Sequence, residues 1–134
     1  MSFTDKVALV TGAGGGMGAN IARDLLAAGA CVSLVDLKPP AEAAGDRALY
    51  LLGDVSEDAF VADAVRRTAA RFGRLDYLVN AAGVLWFDRD GSLLDIALEV
   101  WDRVLAINLR GPMLTARHAI PLMRRQGGGA MVHL

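Results

Sequence analysis

Thr11-Gly12-Ala13-Gly14-Gly15-Gly16-Met17-Gly18 is the stretch on which the reading of this 134-residue chain turns. An apolar run, residues 6–11 (KVALVT), leads into it, and an amphipathic run from Gly16 to Ala28 leaves it. Glycine lets a chain turn tightly and lets backbone N–H groups approach a ligand with no Cβ in the way. The start of the following helix adds unpaired N–H donors and a partial positive charge, worth about 0.3–1 kcal/mol toward an anion. A strand, a glycine turn and a helix in this order make a phosphate cradle.

Outward from the turn, the pattern repeats. The helix carries Met17, Ile21, Ala22, Leu25 and Leu26 at helical spacing, and Gly29 stops it. Residues 31–36 (CVSLVD) predict a second buried strand, with Cys31 as a small buried apolar residue. Lys38-Pro39-Pro40 breaks the chain, and residues 41–44 have room for one helical turn. Residues 48–52 (ALYLL) predict a third strand. Ser56 or Asp58 is positioned to cap a helix whose apolar stripe is Val61, Ala64, Val65, Thr68, Ala69 and Phe72, ended by Gly73. A fourth strand is expected at 75–80 (LDYLVN), a loop at 83–92, and one long helix over 96–123 with Trp101 in the core. A fifth strand is expected at 130–134. Buried strands alternating with amphipathic helices imply an α/β, Rossmann-type, doubly wound parallel sheet with helices on both faces. The expectation is one dinucleotide-binding domain over 1–134, cut off after its fifth strand.

The bulk numbers narrow the function. Lys+Arg is 14 against Asp+Glu 15, without a basic block, so nucleic acid is not an expected partner. The first six residues lack a basic and apolar leader, and no apolar run approaches about 18 residues, so neither a signal peptide nor a membrane span is expected. A cytoplasmic protein is the default expectation. At 54% hydrophobic the chain is more apolar than the usual 45–50%, so some of its surface expects a partner. His118 and His133 stand without companions at metal-ligand spacing, and no metal is expected.

Asp36 ends the second strand. A carboxylate there accepts hydrogen bonds from the adenosine ribose hydroxyls and repels a 2′-phosphate, which points to NAD rather than NADP. Gly15 and Met17 in the turn are neutral, although Lys38 lies two residues past the acid.

The glycine spacing Thr11, Gly12, Gly16, Gly18 resembles that of the short-chain dehydrogenase/reductase family, and further matches follow in order. Asp54-Val55 lies after the third strand, where the family's aspartate meets the adenine amine and the next backbone its ring. Asn80-Ala81-Ala82-Gly83 resembles the family's Asn-Asn-Ala-Gly, with Ala81 in place of the second asparagine. Asn108, in Trp101-Asp102-Arg103-Val104-Leu105-Ala106-Ile107-Asn108, matches the helix asparagine whose backbone holds a water in the family's proton relay. The resemblance implies cofactor contacts from Gly12, Gly15, Gly16, Met17, Gly18, Asp36, Asp54, Val55, Asn80, Ala81, Ala82, Gly83 and Ile107, and a catalytic contribution from Asn108. It also implies a small-molecule carbonyl or alcohol substrate, and a homo-oligomer packed through the long helix. Pro112, four residues past Asn108, would clash with that residue's carbonyl in a regular helix, so an interruption is expected there.

The family's serine and Tyr-x-x-x-Lys have no counterpart here. Tyr50 and Tyr77 are each followed four residues on by Asp54 and Ala81. The chain is therefore expected to supply the cofactor site of an oxidoreductase without the catalytic tyrosine and lysine. A non-catalytic NAD-binding module is the alternative. A methyltransferase would place an acid where Thr11 stands. Trp86 and Phe87, near the cofactor edge, are candidates for the wall of an apolar substrate pocket.

Overall fold

The computed structural model describes residues 2–39 and 45–134. Five strands, β1 (Val7–Thr11), β2 (Cys31–Asp36), β3 (Ala48–Leu52), β4 (Tyr77–Asn80) and β5 (Ala130–His133), form one sheet. Its order is β3-β2-β1-β4-β5, and every neighbouring pair is parallel. Thr11 at the end of β1 is level with Val35 on one side and Asn80 on the other. The chain steps outward from β1 to β3 and then returns to β4. The direction of winding therefore reverses at the carboxyl ends of β1 and β4, where an open parallel sheet leaves a crevice.

Alternation along β1 divides the core. Leu9 joins Val35, Leu51, Leu75 and Leu78 under α2 (Asp58–Phe72) and α4 (Gly111–Arg125), with Ala64, Val65, Ala119 and Met123 from the helices. Ala8 and Val10 face the other way, with Val32, Leu34 and Val79, under Ala22 of α1 (Gly16–Ala27). All five β1 residues are buried. Burying each Val or Leu side chain contributes about 1.5–3 kcal/mol, so helices on both faces hold the central strand, and the turn after it, in place.

Several local expectations are corrected. The fourth strand is Tyr77–Asn80, two residues shorter than expected, although the Asp76 N–H still meets the Val7 carbonyl at 2.8 Å. Neither Ser56 nor Asp58 caps α2. Glu57 occupies that position without a side-chain cap, and the Ser56 hydroxyl turns to Asp54 instead. The long helix is three pieces: α3 (Leu98–Leu105), a π-helical turn (Ala106–Arg110) and α4. Pro112 falls in the first turn of α4, where a missing N–H is tolerated. Trp101 is 46% exposed rather than in the core, and Cys31 is half-buried. A short 3₁₀ turn, Gly45–Arg47, precedes β3, and the helical turn expected at 41–44 lies outside the described residues. Among the described residues, no helix is long and apolar enough to cross a membrane.

Candidate functional site

A cleft of about 520 Å³ opens at the carboxyl ends of β1, β2, β3 and β4. Its floor is the glycine turn, and close approach explains why glycine is needed there. A Cβ on Gly12 (φ +69°) would stand 2.7 Å from the Ala81 carbonyl oxygen, and one on Gly18 would stand 2.2 Å from the Gly12 carbonyl oxygen. The turn is thus pressed against both the β4 turn and the first turn of α1. Helix α1 begins at Gly16 with no side-chain cap and no acid in its first turn. Its first amides face the cleft as donors for an anion.

Thr11 ties the two turns together. Its Oγ1 accepts N–H bonds from Ala81 (3.2 Å) and Ala82 (3.1 Å), and its hydroxyl points to Asn80 Oδ1 at 3.4 Å. Asn80 is buried, accepts the Thr115 hydroxyl at 2.8 Å and donates Nδ2–H to His133 Nδ1 at 3.1 Å. This polar cluster bridges β1, β4, β5 and α4 behind the cleft floor. Every member has a partner, as burial requires.

Asp36 forms one wall. Its Oδ2 accepts the Gly14 N–H at 2.9 Å and its Oδ1 the Lys38 N–H at 3.1 Å. Each oxygen keeps a further lone pair for a ligand hydroxyl. Asp54 and Val55, just past β3, also line the cleft. Burial works against the Asp54 charge, but hydrogen bonds from Arg103 and Ser56 outweigh it and hold the carboxyl below its ordinary value. At the rim, the Asn108 amide pairs doubly with the Val84 backbone, Oδ1 accepting N–H at 2.8 Å and Nδ2–H donating to the carbonyl at 2.9 Å. A π-helical turn carries one residue more per hydrogen-bonded loop than an α-turn, and here it presents Asn108 to that loop while Ile107 lines the cleft.

Of the residues expected at a cofactor, Gly12, Gly15, Gly16, Met17, Gly18, Asp36, Asp54, Val55, Ala81, Ala82, Gly83 and Ile107 all line this one cleft. Asn80 does not, and Asn108, expected as a catalytic contributor, lies outside the cleft lining as well. The first braces the floor from behind, and the second holds the rim loop. Gly14, Leu37, Lys38, Gly53 and Val84 also line it and were missed, although Lys38 lies two residues from Asp36 and each of the others adjoins a named residue. Arg103 was missed for another reason: its partners Asp54 and Ser56 lie 49 and 47 positions away, and no local pattern announces such a contact. Trp86 lines a separate apolar cavity of about 270 Å³ with Trp101 and Leu93, which Phe87 does not join. His118 Nε2 meets Asp58 Oδ1 at 2.8 Å, linking α4 to α2.

The family model described as short chain dehydrogenase matches residues 6–134. The chain is 35% identical to an uncharacterized oxidoreductase of Thermotoga maritima, covering all of this chain and 55% of that protein. It is 41% identical to D-threitol dehydrogenase of Mycolicibacterium smegmatis, covering 96% of this chain and 52% of that protein. The structure of ligand-free aldohexose dehydrogenase from Thermoplasma acidophilum superposes with a TM-score of 0.89 at 28% identity, over 98% of this chain and 49% of that one. The chain thus spans about half the length of the relatives it matches.

Proposed function

This chain belongs to the short-chain dehydrogenase family, and on that premise we propose that it is the cofactor-holding part of an NAD-dependent oxidoreductase. When bound, the nicotinamide dinucleotide supplies the hydride chemistry that interconverts a carbonyl and a secondary alcohol. The residues present fit such a group. The glycine turn packs against the Ala81 and Gly12 carbonyls more closely than any Cβ allows, which sets it at the cleft floor, and the first amides of α1 are free of a side-chain cap. In this reading those amides hold the pyrophosphate, Asp36 takes the ribose hydroxyls, Asp54 and Val55 receive the adenine, and Asn108 steadies the rim through Val84. The tyrosine and lysine of the family's proton transfer are not among these 134 residues. The chain by itself is then expected to bind cofactor weakly at best and to show no turnover. NAD-dependent turnover by a 134-residue protein of confirmed mass would overturn that part.

The single observation that carries the choice of NAD is Asp36. Two backbone amides fix its carboxylate at the cleft wall, where it would repel a 2′-phosphate. Titration with NADH and NADPH tests it. NADH should bind at least about tenfold more tightly, a difference of roughly 1.4 kcal/mol, and Asp36→Asn should narrow that gap. NADPH binding as well as NADH sinks the assignment. The proposed assembly is a homo-oligomer that covers the apolar face of α3 and α4.

A further inference from the structure

Asp54 and Ser56 form a short turn after β3, and helix α3 reaches across to it with one side chain. Asp54 Oδ1 accepts both the Ser56 N–H (2.9 Å) and the Ser56 hydroxyl (2.7 Å). Arg103 completes the group: Nη2 meets Asp54 Oδ2, and Nη1 donates to Ser56 Oγ at 2.8 Å. Asp54 lines the cleft and Arg103 does not, so the guanidinium stands behind the carboxylate rather than in the ligand's place. Its planar fork holds two acceptors on one turn at once, a geometry an ammonium cannot reproduce.

We propose that Arg103 is a positioning residue that fixes the Asp54 carboxylate toward a purine 6-amino group and so makes the cleft select adenine over a 6-oxo purine. The inference rests on the cofactor reading above. With Oδ1 taken up by Ser56 and Oδ2 turned by Arg103, the carboxylate has one orientation toward the cleft. In that orientation it accepts a hydrogen bond from an exocyclic amine and is repelled by the partial negative charge of a purine carbonyl oxygen in the same place. A site built to pair a donor discriminates strongly against the analogue that lacks it. Without Arg103, Ser56 alone holds one oxygen, and the carboxylate is free to swing away from the cleft. Because α3 runs directly into the π-helical turn, the same contact ties the wall of the cleft to the element that carries Ile107 and Asn108.

The test is a pair of titrations of the complete protein, with NADH and with reduced nicotinamide hypoxanthine dinucleotide, which differs in having a 6-oxo purine. Ligand fluorescence reports binding without turnover. The wild-type protein should favour NADH by about tenfold or more, the range of one hydrogen bond to a charged group. Arg103→Gln should bring that ratio to within about threefold of unity, and Arg103→Lys should restore part of it. Asp54→Asn should abolish the preference, and the double variant should add nothing further. A merely structural role would weaken both ligands together and leave the ratio unchanged, and that outcome for Arg103→Gln overturns the proposal. Equal binding of both ligands by the wild-type protein also overturns it, while leaving the cofactor reading in place. Binding of neither ligand removes the cofactor reading itself.

Discussion

Asp76 shows how one side chain can anchor a strand end. It is nearly buried, accepts the Val7 N–H at 3.0 Å, and is gripped by two Arg74 nitrogens at 2.8 and 2.6 Å. Burial disfavours its charge, but Arg74, the Val7 amide and Lys6 prevail and lower its pKa. A carboxyl depressed in the folded state contributes stability above its unfolded pKa, about 3.9, and loses it as pH falls through the lower folded value. Asp76→Asn should therefore reduce the unfolding free energy by roughly 1.5–3 kcal/mol at pH 7. The gap between variant and wild type should shrink in urea melts near pH 3. A gap independent of pH would show that the charge is not responsible. Asn108 acts on a smaller scale. Its double pairing with Val84 predicts that Asn108→Ala speeds hydrogen exchange at the Val84 amide more than at β1, whereas unchanged exchange there would separate the side chain from the loop. The residue types at these sites are legible in the sequence. Their partners are not, since Asp76 pairs with Val7 across 69 positions.

At the scale of elements, the strands and the first two helices were legible because each is a short run of one periodicity closed by glycine or proline. The π-helical turn was legible only as a disturbance. Asn108 and Pro112 signalled an interruption but not its form, nor that Gly111 after it would lie against Val55, which stands 3.0 Å from where a Gly111 Cβ would be. Pro121 lies inside α4, where it removes one helical hydrogen bond at a cost of about 3 kcal/mol in a regular helix. Its side is exposed, so Pro121→Ala should raise the thermal midpoint, and a lower midpoint would mean that proline's restriction of the unfolded chain dominates. In the glycine turn, Gly18→Ala must push α1 from the Gly12 carbonyl. It should weaken NADH by more than tenfold (about 1.4 kcal/mol) while leaving far-ultraviolet circular dichroism intact. Unchanged affinity would show that the α1 amides do not hold the ligand.

For the molecule as a whole, part of the apolar excess in the composition lies on one helical face. Leu98, Trp101, Leu105, Leu109 and Met113 recur at helical spacing along α3, the π-helical turn and α4, and all are exposed, Leu109 at 66% and Met113 at 49%. If this face joins subunits, the double variant Leu109→Lys, Met113→Lys should sediment as a monomer where the wild-type protein does not. Identical sedimentation of the two would place the interface elsewhere. The spacing of Thr11, Gly12, Gly16 and Gly18, the acid at Asp36 and the alternation of apolar runs determined by themselves the fold, the family and most of the cleft lining. They could do so because strand, turn and helix preferences act over a few residues. Only the tertiary structure decided that Thr11 clips the β4 turn, that Trp101 is exposed, and that Arg103 reaches Asp54. Those are contacts between segments distant in sequence, and they exist only once the parallel sheet has brought its carboxyl ends to one edge.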